Sequence, residues 1–368
     1  MEAVSSTADH PPAAAGTAAP MSLCARRPQV PAERLVAEMV PPPRFDGVRF
    51  DTYVPDPQQP GQREAVEVLS TFAAGIGGGG GGSRGGVARW FRRGAKRPAA
   101  AGPRGVYLDG GFGVGKTHLL ASLWHAAPVP REAKALATFV ELTHLVGALG
   151  FQQTVRTLGG HRLLCIDEFE LDDPGDTVLV SSLLSRLVEQ GVALAATSNT
   201  LPGKLGEGRF AAGDFLREIQ GLAAHFRTLR IDGEDYRHRG LPAAPEPSDD
   251  ASVAAVARRV PGAALDAFPA LLEHLSAVHP SRYGALVDGV RMVGLTGVEP
   301  VREESAALRL VVLADRLYDR EVPVLASGAP LDRLFSAEIL EGGYRKKYFR
   351  ALSRLTALAR DGRRLAEG

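Results

Sequence analysis

Gly110-Gly111-Phe112-Gly113-Val114-Gly115-Lys116-Thr117 follows the apolar run Gly105-Val106-Tyr107-Leu108 and precedes a stretch with helical character, Lys116 to His125. G-x-x-x-x-G-K-[ST] between a strand and a helix is the pattern of a phosphate-binding loop. Its glycines let backbone N–H groups converge on phosphate oxygens, and the helix N-terminus adds partial positive charge. Lys116 is placed to reach the β- and γ-phosphates, and the Thr117 hydroxyl to ligate Mg²⁺. His118 comes directly after the loop and closes the expected cofactor-binding stretch, although its own position reads as helix surface.

About fifty residues on, Leu163-Leu164-Cys165-Ile166 runs into Asp167-Glu168, an apolar strand ending in two carboxylates. Beside a phosphate loop, Asp167 suits the metal and Glu168 suits polarising the water that attacks a γ-phosphate. The pair therefore predicts Mg²⁺-dependent hydrolysis rather than mere nucleotide binding, with Glu168 and Lys116 catalytic; the residues by themselves do not tell ATP, the expected nucleotide, from other purine triphosphates. A further strand, Val192 to Ala196, leads into Thr197-Ser198-Asn199, where Asn199 is a candidate sensor of the γ-phosphate or holder of the lytic water. The plain alternative is a turn and cap. Four arginines, Arg209, Arg217, Arg309 and Arg354, are candidates to reach the γ-phosphate in cis or from a neighbouring subunit.

Around these motifs, short apolar strands (105–108, 137–140, 163–166, 192–196, 228–231) alternate with helical segments (116–125, 142–158, 177–190, 214–225). That alternation predicts an α/β fold, a P-loop NTPase with a parallel sheet covered by helices on both faces. The expected organisation is an Ala/Pro-rich disordered tail (1–32, with Met21 a possible start), an N-terminal lead segment (33–74), a Gly-rich and basic linker (75–104), the core (105–240) and a second linker (241–250). A smaller mixed helical domain (251–362) follows, with stripes such as Leu265, Phe268, Leu272 and Leu275 and short β-like segments between them.

Forty-three basic residues against 42 acidic ones, a net charge of +1, exclude a globally basic nucleic-acid binder. Only six of the 43 are lysines, so arginine number carries little meaning while Lys116 stands out. The concentrated charge runs from Arg84 to Arg104, seven cations with Trp90-Phe91 among them. It suits a solvated linker, an anionic membrane contact or a nucleic-acid contact. Two cysteines cannot build a disulfide framework, no window reaches about 18 apolar residues, and the N-terminus lacks a secretory layout. The protein is expected to be cytoplasmic.

These motifs in this order resemble the AFG-type ATPases of the AAA+ class. Leu164-Cys165-Ile166-Asp167-Glu168-Phe169 with Asp173 and Asp176 resembles the family's L-C-F-D-E-F and its spaced aspartates, and Ala196-Thr197-Ser198-Asn199 with Pro202 its A-T-S-N. Asp235-Tyr236-Arg237 matches D-Y-R, the segment Arg309 to Asp319 resembles R-F-I-x-L-x-D-x-L-Y-D, Ser353-Arg354-Leu355 matches S-R-L, and Phe45 to Gln62 resembles the family's N-terminal lead. The resemblance spans roughly residues 33 to 360. It implies a lid closing over the nucleotide, a homo-oligomer with sites at subunit contacts, and a trans arginine, for which Arg209 is the candidate. It also implies work on a protein partner, either in cell division on the tubulin-like division ring protein or in protein quality control. Three departures stand out. Phe215-Leu216-Arg217 replaces F-L-P, residue 109 is Asp, and S-R-L lacks the following E-M. A helicase-loader-like, nucleic-acid-associated ATPase is the alternative reading, and a nucleotide-gated scaffold without turnover is a third.

Overall fold

A computed structural model describes residues 19–76, 105–111, 113–171, 174–205, 215–233 and 243–367. The tail before residue 19, the basic block, Phe112, Asp173, Arg209 and the Asp235-Tyr236-Arg237 segment lie outside the described residues.

In chain order the elements are α1 (Ala32–Ala37), α2 (Pro60–Ile76), β1 (Gly105–Gly110), α3 (Lys116–Ala126), β2 (Lys134–Thr138), α4 (Phe139–Leu149) and α5 (Phe151–Gly159). Then come β3 (Leu163–Asp167), α6 (Pro174–Glu189), β4 (Ala193–Ser198), α7 (Leu216–Ala223) and β5 (Phe226–Ile231). The C-terminal part holds α8 (Asp250–Arg259), β6 (Ala263–Ala267), α9 (Phe268–Ala277), α10 (Tyr283–Leu286), β7 (Met292–Val298), α11 (Glu304–Asp319), β8 (Val324–Gly328), α12 (Ala337–Glu341) and α13 (Arg345–Glu367).

The first five strands pair in parallel in the order β2-β3-β4-β1-β5. Both faces of this sheet are buried, so its strands are apolar throughout: Tyr107, Leu164, Ile166 and Leu194 face one core, and Val106, Leu108, Cys165 and Ala195 the other. Because all strands run the same way, the C-terminal ends of β1, β3 and β4 open on one edge. β4 sits between the other two, so its end lies between the phosphate loop and the acidic pair.

Several elements differ from the sequence reading. The second strand is Lys134–Thr138 rather than 137–140. Thr138 and Glu141 form a capping box in which the Thr138 hydroxyl accepts from Glu141 N (3.2 Å) and the Glu141 carboxylate accepts from Thr138 N (2.7 Å), which starts the helix at Phe139. The helix expected over 142–158 is two helices divided at Gly150, whose φ of 77° is closed to most side chains.

The C-terminal domain, expected as mixed helical, is built on a three-stranded parallel sheet, β6-β7-β8. Segments expected as a disordered tail and a linker cover both edges of it. Met21 pairs with Ala264 of β6, and Ser22 Oγ, Leu23 N and Cys24 N all donate to the Asp266 carboxylate (2.5–3.3 Å). Leu23 is fully buried in that domain's core. At the other edge Ser248 N donates to Ala326 O (2.9 Å). Among the described residues no helix is long and apolar enough to cross a membrane.

Candidate functional site

The phosphate loop leaves β1 and enters α3 through two glycines in the left-handed region, Gly113 (φ 70°) and Gly115 (φ 85°). Gly110 cannot carry a side chain, since a Cβ there would lie 2.1 Å from Ile231 O. At Gly115 a Cβ would meet the Tyr53 ring, because the N-terminal lead packs on the loop: Tyr53 Oη donates to Val114 O (2.8 Å). His118 faces the same segment, with Nε2 3.0 Å from Thr52 Oγ1 and 3.2 Å from Arg49 O. Buried Gln62 ties that segment to β5 by accepting from Asp56 N and donating to Asp232 O, both at 2.8 Å.

The structure brings the motif residues together at the strand ends. Lys116 Nζ donates to Gly110 O (2.9 Å) and to Asn199 Oδ1 (2.8 Å). Thr117 Oγ1 donates to Asp167 Oδ2 (2.9 Å), and Thr197 Oγ1 donates to Asp167 Oδ1. The same Thr197 hydroxyl accepts from Glu168 N (3.1 Å), so a residue given no role in the sequence reading holds the Asp167 carboxylate and the Glu168 backbone together. Glu170 accepts from Asn199 N (3.3 Å) and Ser198 Oγ (3.2 Å). Glu168 has φ 54°, a strained conformation for a residue with a side chain and of the kind that gathers at functional sites.

A cleft of about 610 Å³ runs from Thr117, Asp167, Glu168 and Asn199 into the space between the sheet domain and the C-terminal domain. Four charges meet at its C-terminal-domain wall. Arg350 Nη1 lies 2.9 Å and Arg354 Nη2 3.6 Å from the Glu168 carboxylate, while Arg350 Nη2 is 2.9 Å from Asp315, which Arg354 also pairs. Burial lifts the pKa of Glu168 against the pull of Arg350 and Arg354. For Asp315 burial works the same way, but the two guanidiniums prevail and hold it below the usual carboxylate range. Burial pushes Asp319, one turn on, up to about 6. Deeper in the cleft Arg316 of α11 reaches Glu141 of α4 (2.8 Å), and the Arg44 guanidinium stacks 3.8 Å from the Tyr318 ring.

Of the candidate arginines, Arg354 stands at the site. Arg309 donates to Leu275 O (3.0 Å) and Val278 O (3.2 Å), satisfying the end of α9, and Arg217 is exposed on α7. Arg350 was missed: one arginine among many carries little signal, though it stands four residues before Arg354 and so shares its helix face. The unusual Asp109 is buried and paired with Arg230 (2.5 Å), its register partner on β5.

For a metal, the available donors are the Thr117 hydroxyl and the Asp167 carboxylate. Among the described residues no group of three or more His, Cys, Asp or Glu side chains could hold a metal by itself. Two hard oxygens beside a phosphate loop fit Mg²⁺, which keeps several waters and completes its shell with substrate phosphates.

A parallel sheet with its phosphate loop after β1, an acidic pair after β3, the polar Asn199 after the intervening β4 and the C-terminal domain facing them defines a P-loop NTPase fold of the AAA+ type. The profile of the AFG1-like ATPases matches residues 29–262 and 246–364, and the chain belongs to that family. It is similar to the cell division protein ZapE of Escherichia coli K12, 33% identical over 147 residues, which are 38% of this chain and 39% of that protein. It is also similar to lactation elevated protein 1 homolog B of Danio rerio, 26% identical over 160 residues, 38% of this chain and 32% of that one. The chain thus spans well under half the length of these relatives. Among solved structures, the DnaC helicase loader is 16% identical over 51% of this chain and 99% of that one, with a TM-score of 0.34. AMPPCP-bound DnaA from Aquifex aeolicus is 14% identical over 52% of each chain, with a TM-score of 0.35.

Proposed function

We propose that this protein is a Mg-dependent ATP hydrolase whose turnover is coupled to movement of its lid, and that it works on a protein partner in cell division. The observation that carries the reading is the convergence of Lys116, Thr117, Asp167, Glu168 and Asn199 at one sheet edge with the lid arginines opposite them. The loop amides and Lys116 bind and orient the phosphates, and the Lys116–Asn199 contact fixes the ammonium toward the γ-position. Thr117 and Asp167 would hold Mg²⁺, which when bound neutralises charge on the phosphate oxygens. Glu168, once its carboxylate is turned to a water, takes the proton as that water attacks. Thr197 keeps Asp167 and the Glu168 backbone in register during the step.

Cell division as the setting rests on the ZapE relative, and the tubulin-like ring protein is the partner that the family resemblance implies. A cytoplasmic homo-oligomer, with Arg209 supplied in trans, belongs to the same reading. Purified protein should hydrolyse ATP, and magnesium chelation should stop it. Lys116→Ala should lose nucleotide binding, while Glu168→Gln should retain ATP without turnover. Normal turnover in either variant would sink the site assignment. A pull-down with the Glu168→Gln trap in ATP should recover the ring protein; recovery of nucleic acid alone would overturn the division role in favour of a helicase-loader-like one.

A further inference from the structure

The residue proposed as the general base does not face the phosphate loop alone. Its two carboxylate oxygens are engaged by two guanidiniums from α13. Arg350 is the bridge: one terminal nitrogen holds Glu168 and the other Asp315, each at 2.9 Å, so a single planar fork links the end of β3 to α11 through α13. The Arg350 side chain is 10% exposed. A guanidinium so buried must stay paired, and it can leave one anion only for another. Both Arg350 and Arg354 also keep a buried Nε–H without a partner among the described residues, so each has a donor unspent in this arrangement.

A carboxylate clamped this way is poorly set to accept a proton from water, because one oxygen is ion-paired with Arg350 at 2.9 Å and the other faces the Arg354 guanidinium at 3.6 Å. A γ-phosphate is the competing anion that the site is built to receive, and guanidiniums match phosphate as well as they match carboxylate. Asp315, ionised and anchored on the same fork, would keep Arg350 attached to the lid while its other arm changes partner.

We propose that Arg350 is a positioning residue that holds the Glu168 carboxylate against Asp315 and the lid until the γ-phosphate of ATP draws that arginine away and frees Glu168 for water. The proposal rests on the reading of Glu168 as general base and deepens it. It makes lid position and base competence one event, so that the protein cannot hydrolyse before the lid has engaged the nucleotide.

The test is a double-mutant cycle read through nucleotide affinity in the full chain, using the non-hydrolysable analogue AMPPCP and, separately, ADP. Glu168→Gln removes the carboxylate charge that competes for Arg350, so AMPPCP should bind more tightly, by roughly fivefold or more, the low end of ordinary coupling between sites. ADP, with no γ-phosphate, should gain little. In an Arg350→Gln background the gain from Glu168→Gln should disappear, because no lock remains to be released. Arg350→Lys, which keeps the charge but has no fork, should retain only part of the gain, and it serves if Arg350→Gln does not fold. An equal AMPPCP gain in all backgrounds would mean simple charge repulsion and overturn the lock, as would an equal gain for ADP. Normal ATP turnover by Glu168→Gln would instead overturn the general-base reading, so the two failures are told apart.

Discussion

Asp319 should make the protein less stable at neutral pH than an uncharged residue would, and Asp319→Asn isolates that cost. The carboxyl lies at the end of α11 in the domain cleft, where burial raises its pKa from the ordinary 3.8 to about 6 over the opposing pull of Arg354 and Arg316, with Asp315 and Glu141 adding repulsion. Between those two values the folded chain holds a proton that the unfolded chain has released, so stability falls as pH rises through the window and stays low above it. At 1.36 kcal/mol per pH unit the full interval corresponds to about 3 kcal/mol, and partial exposure of the residue to the cleft lowers the expected gain to about 1.5–3 kcal/mol for Asp319→Asn at pH 8. At pH 5 the wild-type carboxyl is largely protonated when folded, and the advantage should fall to roughly half. Chemical unfolding of both chains at pH 5, 6 and 8, followed by circular dichroism, reads the difference directly. A gain that does not change with pH, or a loss at pH 8, would refute the reasoning, because either would mean that Asp319 is ionised in the fold and supported by its arginines.

Three further perturbations test packing. Leu23→Ala removes a fully buried side chain and should cost about 2–5 kcal/mol of C-terminal-domain stability, whereas a disordered tail would show no change on thermal unfolding. Gly362→Ala on α13 puts a Cβ 2.2 Å from Val324 O, and the overpacking should cost about 1–3 kcal/mol or more because backbone cannot move aside; a lowered melting temperature checks it. Arg316→Met breaks the cross-domain pair with Glu141 and leaves that carboxylate in the cleft, so unfolding should move by about 1–3 kcal/mol, between the ranges for exposed and buried pairs.

The sheet domain could be read from the sequence because its signals are local: apolar runs of strand length, each ending in a polar group with a chemical task. β2 was misplaced for the same reason, since Ala137 to Val140 is as apolar as a strand, and the T-x-x-E box that turns the chain at Thr138 went unread. Lys134 adds to the point. A lysine looks like a boundary, but its ammonium is buried in β2, donating to Trp124 O (2.7 Å) and Ala127 O (3.1 Å) at the end of α3. The second sheet was hidden by composition. Ala263-Ala264-Leu265-Asp266-Ala267 and Val324-Leu325-Ala326-Ser327-Gly328 have few β-branched residues, and they are strands because helices pack on them and two distant segments cover their edges.

The same division runs through the site. Lys116, Thr117, Asp167, Glu168 and Asn199 come from motifs, because phosphate chemistry dictates which residue types follow which strands. Arg350 and Asp315 act on those residues from elsewhere in the chain, and nothing in their immediate sequence says which partner they hold. What makes them part of the site is the meeting of α11 and α13 with the end of β3, which is tertiary. A change at Arg350 or Asp315 should therefore leave the recognisable ATPase signature intact while altering when that signature is allowed to work.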